Sequence, residues 1–297
     1  MIDSLQAEFG IPDSVSLSTG RGDLAKVNLI HSSGASAEVY LHGGHVVSWK
    51  NRSGEELFFV SRESCFLPDR PIRGGIPIIF PQFGGGVLPA HGIARTSEWT
   101  VAKTEVTPSG DVSLELVLAS DQKTRFLWPH DFTMRIRVVL CADSLQVRLA
   151  VENSGRERFD FQAVLHTYFR VEDIRKCTVR GLEMVDLIDS LVACAKSKEM
   201  RSSIRFEEET DRIYVRTPDS LQIDDEGRGH RISIEKRGMA DVVVWNPWID
   251  KSKRMSDFGD DEYLEMVCVE TGVIAVPIRL APGENWAGET VFSISAL

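Results

Sequence analysis

From about residue 25 onward the chain is a succession of short runs in which apolar and polar side chains alternate. Examples are "AKVNLIHS" at 25–32, "VSLELVLAS" at 112–120, "FTMRIRVVLCA" at 132–142, "SLQVRLAVEN" at 144–153 and "GETVFSISAL" at 288–297. A period of two puts every second side chain on one face of an extended strand. "SGD" and "ADS" separate consecutive runs as hairpin connections do. Helical spacing is nearly absent; "DKSKRMSDFGDDEYLEMV" is read as holding a short helix. A chain of 297 residues with this pattern is expected to form one domain, residues 1–297, of the all-β class: a large antiparallel β-sandwich with few short helices.

One segment departs from the alternation. Residues 64–95, "SCFLPDRPIRGGIPIIFPQFGGGVLPAHGIAR", hold five prolines and many glycines. Proline removes ladder donors and glycine weakens strands, so this stretch is expected to be an ordered loop rather than sheet. Long ordered loops often carry function.

Charge and cysteine usage narrow the function classes. The net charge is −10, with no basic stripe, which argues against a nucleic-acid or anionic-membrane partner. A small anionic substrate stays open, because a few arginines in a cleft can oppose the global sign. The five cysteines are scattered and form no CxxC pair, the usage of a reducing compartment. No apolar run approaches the roughly 20 residues that span a bilayer, and "MIDSLQAEFGIP" has no apolar signal core. The expectation is a cytoplasmic protein, read as a monomer.

Within "RFDFQAVLHTYFRV", residues 158–171, the alternation places Phe159, Phe161, Ala163, Leu165, Thr167 and Phe169 on one face. Asp160, Gln162, Val164, His166, Tyr168 and Arg170 fall on the other. The second face is polar and aromatic, which suits either a ligand cleft lying on a sheet or plain solvent exposure. In "EMVCVETGVI", residues 265–274, Met266, Cys268 and Glu270 share a face. A carboxylate in so apolar a run needs a partner. Backbone donors would satisfy it; so would a cleft shared with His166. In that second case the two side chains form an acid–base pair with separated pKa values.

Six motifs together resemble the hexose-6-phosphate mutarotase branch of the aldose 1-epimerase family. They are "RGGIPIIFPQFG" at 73–84, "HGIAR" at 91–95, "LHTYF" at 165–169, "DVVVWNPW" at 241–248, "DFGDDEY" at 257–263 and "CVETG" at 268–272. The resemblance spans roughly residues 20–295. It implies a galactose-mutarotase-like sandwich with an open sugar cleft and a cofactor-free, metal-free exchange of the α and β anomers of an aldose. The implied substrate is a hexose 6-phosphate, glucose 6-phosphate first. By motif position His166 and Glu270 resemble the catalytic pair, and Arg73, Gln82, His91, Arg95 and Asp211 resemble substrate-binding positions. Two departures stand out: Ala90 replaces the glutamine that often precedes "HG", and His45 occupies a position expected to be small or neutral.

Anomer exchange needs one group to take the proton of the C1 hydroxyl and another to protonate the ring oxygen O5. On the resemblance, Glu270 is the base at C1 and His166 the acid at O5. Asp211 is expected to hold sugar hydroxyls, and His91 to bond near the ring oxygen. Arg73 and Arg95 offer planar forks suited to phosphate, with Gly74 and Gly75 bringing backbone amides close.

Other readings are weaker. "HGGH" (His42, His45) lacks the third ligand of a metal site and is read as a turn flanked by histidines. "DFGDD" with Glu262 lacks calcium-loop spacing and is read as loop ordering; "GGG" at 84–86 is not followed by the residues of a P-loop. Trp245 is assigned to the core. A non-catalytic sugar-binding sandwich, and an epimerase acting on unphosphorylated hexoses, remain as alternatives.

Overall fold

The alternating runs pair into three antiparallel sheets, of four, eight and nine strands. This computed structural model describes residues 2–297. The nine-stranded sheet includes the strands Phe132–Leu140, Ser144–Asn153 and Asn285–Ala296, whose inward side chains are buried while Arg135, Arg137 and Arg148 point to solvent. One face on a core and one face in water is what strict alternation encodes.

The eight-stranded sheet is buried differently. Its central strands, Asp241–Asn246 and Met266–Leu280, lie side by side, and residues 241–246 and 266–274 are buried without interruption. That explains why "DVVVWN" and "MVCV" are nearly continuous apolar runs. One face packs on the nine-stranded sheet, with Phe161, Leu165 and Phe169 meeting Phe132, Leu149 and Phe292 in one core. The other face carries a second cluster of Val164, Tyr168, Val243, Trp245, Met266 and Cys268, covered by Phe59 and Phe258. The faces predicted for residues 158–171 and 265–274 are thus the observed ones.

The proline- and glycine-rich segment contributes a two-residue strand, Ile78–Ile79, at the edge of the eight-stranded sheet, and otherwise runs as ordered loop as far as a 3-10 turn at Ala94–Thr96. Its glycines allow close approach. A Cβ on Gly74 (φ +122°) would stand 2.3 Å from the Phe59 carbonyl oxygen, and one on Gly92 (φ +74°) 2.1 Å from that of Phe80. The expected short helix in the 250–267 region is a helix at Trp248–Ser252 followed by a 3-10 turn at Glu262–Glu265. Two helices were not foreseen. One is Ile2–Phe9; the other, Gln122–Leu127, is opened by Asp121, whose carboxylate accepts from the Thr124 amide while the Thr124 hydroxyl accepts from the Asp121 amide. Among the described residues no helix is long and apolar enough to cross a membrane.

Candidate active site

The run 158–171 is two strands, not one. Phe159–Leu165 ends where the His166 amide donates to the Pro77 carbonyl and the Thr167 amide to Leu165, and pairing resumes at Tyr168–Arg170. The register does not slip across the break. Leu165 pairs with Thr271 and Tyr168 with Cys268, so His166 stands opposite Glu270. His166 Nδ1 lies 3.3 Å from Glu270 Oε1. The residues are 7% and 1% exposed, and neither His166 Nδ1 nor Glu270 Oε2 has a hydrogen-bond partner among the described residues.

Backbone donors therefore do not hold the second carboxylate oxygen of Glu270. Burial pushes its pKa well above the carboxylate range, and the charge of Asp211 adds to that. Burial also pulls the His166 imidazole well below its ordinary value, helped by His91, Arg73 and Arg95. Both effects favour a carboxylic acid beside a neutral imidazole in the empty cleft. That pair and the carboxylate–imidazolium pair contain the same number of protons, so they are two arrangements of one protonation state.

Around this pair lies a cleft of about 270 Å³ lined by Arg73, Phe83, His91, Tyr168, Asp211 and Trp245 among others. That is near the lower end of ligand pockets, roughly 300–1,000 Å³. Larger hollows of about 770 and 510 Å³ lie elsewhere, but their linings contain no buried acid–base pair. The His166 ring stacks on Tyr168 (centroids 4.9 Å apart, planes within 9°) and meets His91 and Trp245 edge-on at 5.6 and 6.1 Å. Trp245, assigned to the core from sequence, is buried and also forms cleft wall. His91 sits at φ +65°, and its Nδ1 accepts from the Gly84 amide at 3.4 Å. Burial, with Arg95 and Arg73 nearby, pulls it to about 3. The neutral ring then carries its proton on Nε2.

The cations are arranged unequally. Arg73 donates from Nε and Nη2 to Asp257 Oδ2 at 3.1 and 3.0 Å, and from Nη1 to the Tyr168 hydroxyl at 3.1 Å. Although burial opposes its charge, Tyr168 and Asp257 raise its pKa above the ordinary arginine value. The Gly75 amide donates to the Phe59 carbonyl at 2.7 Å, so the expectation that it faces an anion is corrected: the loop uses that donor to tie itself to the neighbouring segment. Arg95 donates to the Ala90 carbonyl at 2.7 Å, and burial and the charge of Arg73 pull it down to about 10. Gln82 turns back on its own loop, bonding the Gly84 and Leu88 carbonyls and the Leu88 amide; it does not line the cleft. Asp211 does, paired in register with Trp245 and 3.6 Å from Lys251 Nζ.

Three polar residues were missed as site residues. Tyr168 had a legible signal, two positions from His166 on the same face. Lys251 and Asp257 come from the segment after "WNPW", where no periodicity assigns a direction. Lys251 also pairs with Glu209 at 3.0 Å and lies 5.7 Å from the Trp245 ring centroid. His42 and His45 donate through Nε2 to the Arg70 and Gly74 carbonyls, each at 2.7 Å, as histidines bracketing a turn. Glu262 orders its loop by accepting from the Ser61 hydroxyl and the Arg62 and Gly259 amides.

A sequence profile of the family described as aldose 1-epimerase matches residues 25–293. The chain belongs to the aldose 1-epimerase family. It is an isomerase of the mutarotase type, exchanging sugar anomers. A protein of Cenchrus ciliaris named "Putative glucose-6-phosphate 1-epimerase" is 41% identical over 91% of this chain and 84% of its own length. One of the same name from Escherichia coli (strain K12) is 34% identical, with 79% of each chain covered. The crystal structure of "a putative mutarotase" from Salmonella typhimurium superposes with a TM-score of 0.90 at 28% identity, covering 97% of this chain and 96% of that one.

Proposed function

We propose that the protein interconverts the α and β anomers of a hexose 6-phosphate, glucose 6-phosphate first among them, by acid–base ring opening and reclosure. The observation that carries this reading is the side-by-side placement of His166 and Glu270 on neighbouring strands in one buried cleft, Nδ1 and Oε1 3.3 Å apart, with His166 Nδ1 and Glu270 Oε2 free of hydrogen bonds among the described residues. A binding module needs hydrogen-bonding groups but not a facing acid and base.

In the productive complex Glu270 accepts the proton of the C1 hydroxyl while His166 delivers one to O5. The C1–O5 bond then breaks. Rotation about C1–C2 presents the other face of the aldehyde, and the same transfers in reverse close the ring. The starting carboxylate–imidazolium form is one proton shift from the neutral pair, and sugar hydroxyls in the cleft supply the polarity that stabilises it. His91 donates from Nε2 toward the ring oxygen. Asp211, steadied by Lys251, accepts from sugar hydroxyls and fixes the ring. Arg95 and Arg73 read the phosphate, Arg95 through a guanidinium with no acid partner among the ion pairs described. Gln82 acts indirectly, by holding the loop that carries His91.

A second reading, action on unphosphorylated aldoses, draws on the engagement of Arg73 by Asp257, which already fills much of its fork. Initial rates on glucose 6-phosphate, mannose 6-phosphate, glucose and galactose, read by exchange NMR, separate the two. A preference for the phosphorylated sugars is expected. Equal rates with and without phosphate would overturn the first reading, and no acceleration on any sugar would overturn both.

A further inference from the structure

Directly beside the proton-transfer pair lies a thiol the reaction does not use. Cys268 is on the strand of Glu270, two residues before it, and pairs in register with Tyr168 on one side and Trp245 on the other. It is fully buried. One ligand atom each from His166, Cys268 and Glu270 can be chosen so that all three lie within 4.8 Å of one another. Three atoms so placed are all within about 2.8 Å of a common point. Zinc bonds imidazole nitrogen and carboxylate oxygen at about 2.0–2.2 Å and thiolate at about 2.3 Å, so a shift of about half an ångström per ligand closes the site. The His166 Nδ1 to Glu270 Oε1 distance, 3.3 Å, already matches the edge of a tetrahedron with bonds of that length.

We propose that His166, Cys268 and Glu270 form a binding site for a thiophilic divalent cation of the zinc class, and that the metal-bound protein is inactive. Two further observations support it. His166 Nδ1 and Glu270 Oε2 are buried and without partners, so their lone pairs are available. Burial holds the protons on both the Cys268 thiol and the Glu270 carboxyl, so the ion displaces two protons to solvent as it binds; the donor set is then one imidazole, one thiolate and one carboxylate, whose two negative charges offset the two positive charges of the cation and leave the filled site neutral. His166 and Glu270 line the cleft, which gives the ion its entry path and leaves a fourth position facing solvent. Binding takes the His166 lone pair and the Glu270 carboxylate away from proton transfer. The ion and the sugar are therefore mutually exclusive. The inhibitory half of this proposal rests on the mutarotase reading; the metal site itself does not.

The test uses intact protein stripped with chelator, with Co²⁺ as the spectroscopic probe and Zn²⁺ as competitor. One equivalent of Co²⁺ should produce a thiolate-to-metal charge-transfer band in the near ultraviolet, bleached by one equivalent of Zn²⁺. Cys268→Ser and Cys268→Ala should lose that band while keeping most anomer exchange. Micromolar Zn²⁺ should inhibit the wild type at least tenfold more strongly than either variant, and EDTA should restore the rate. An unchanged band in both variants would place the metal on another cysteine and overturn the proposal, as would equal Zn²⁺ inhibition of wild type and variants, or stimulation by Zn²⁺. If neither variant folds, the wild type still decides: saturating glucose 6-phosphate must weaken the Co²⁺ band, and a band indifferent to the sugar overturns the shared site. A protein that shows the band but exchanges no anomers at any metal level retains the site and loses the mutarotase reading instead.

Discussion

His166 and Glu270 face each other across adjacent strands, with Nδ1 and Oε1 3.3 Å apart, on a stretch of sheet buried on both faces. Two groups whose pKa values are pushed in opposite directions by the same loss of water share one proton at neutral pH. Two groups this close titrate as a unit, and the pH range over which the pair holds a single proton is set by the distance between gaining a second proton and losing the only one.

Removing either member removes the unit. His166→Asn and Glu270→Gln should each lower the rate of anomer exchange by about 10²–10⁴-fold. The double variant should fall far short of the product of the two losses, because residues acting together are not additive. Exchange NMR on the three variants gives the comparison. Either single variant retaining a tenth of the wild-type rate would refute the assignment.

The carboxyl of Glu270 should also weaken the fold as pH rises. Below its unfolded value it is protonated in both states and contributes nothing to the pH dependence. Above that value the unfolded chain ionises while the buried group keeps its proton, so wild-type stability falls until the raised folded value is passed. Glu270→Gln lacks this loss. Its melting temperature relative to wild type should therefore climb as pH rises above 4.5. A difference that is flat over that range, or that shrinks, contradicts the neutral carboxyl.

The sheet architecture was legible because its determinant is local. Alternation in "FTMRIRVVLCA" and "SLQVRLAVEN" names the buried face without knowledge of partners. The juxtaposition of His166 and Glu270 was legible for a related reason: the alternation fixes the face on which each side chain lies, and the two faces belong to neighbouring strands. Asp257 and the turn of Gln82 were not, since side-chain direction in loops depends on contacts made far away in sequence, and Lys251 was not, since a helix of five residues is too short to show a period. Arg73 illustrates the limit. Its position beside two glycines suggested a fork open to phosphate, yet two of its nitrogens are held by an aspartate 184 residues away. The break at His166 was invisible as well, because it depends on the Pro77 carbonyl supplied by the loop.

His45 should make the protein acid-sensitive. It is fully buried, and desolvation outweighs its bond to the Gly74 carbonyl, pulling it to about 3. Above pH 6.5 both states hold it neutral. Below that, the unfolded chain takes a proton that the fold refuses, and stability falls down to about pH 3. The loss is about 2 kcal/mol at pH 5. His45→Gln retains a donor for Gly74 and should show a shallower loss between pH 7 and pH 5 in urea titrations. Parallel pH profiles for the two proteins would remove His45 as the cause.

Arg73 and Arg95 should separate when stability and substrate affinity are measured together. Arg73→Ala strands the Asp257 carboxylate and leaves the buried Tyr168 hydroxyl without its partner, a cost of about 1–3 kcal/mol. Arg95→Ala gives up one bond to a carbonyl and relieves the repulsion from Arg73, so its stability should stay within about 0.5 kcal/mol of wild type. Both should raise KM for glucose 6-phosphate, by about 10- to 100-fold for the loss of a charge-assisted contact, with a smaller effect on free glucose. Adding Asp257→Asn to Arg73→Ala removes the stranded charge and should recover stability without recovering KM. That combination tells a structural arginine from a phosphate-reading one. If the double variant regains affinity for the phosphorylated sugar, or if Arg95→Ala harms glucose and glucose 6-phosphate equally, the two arginines do not read the phosphate.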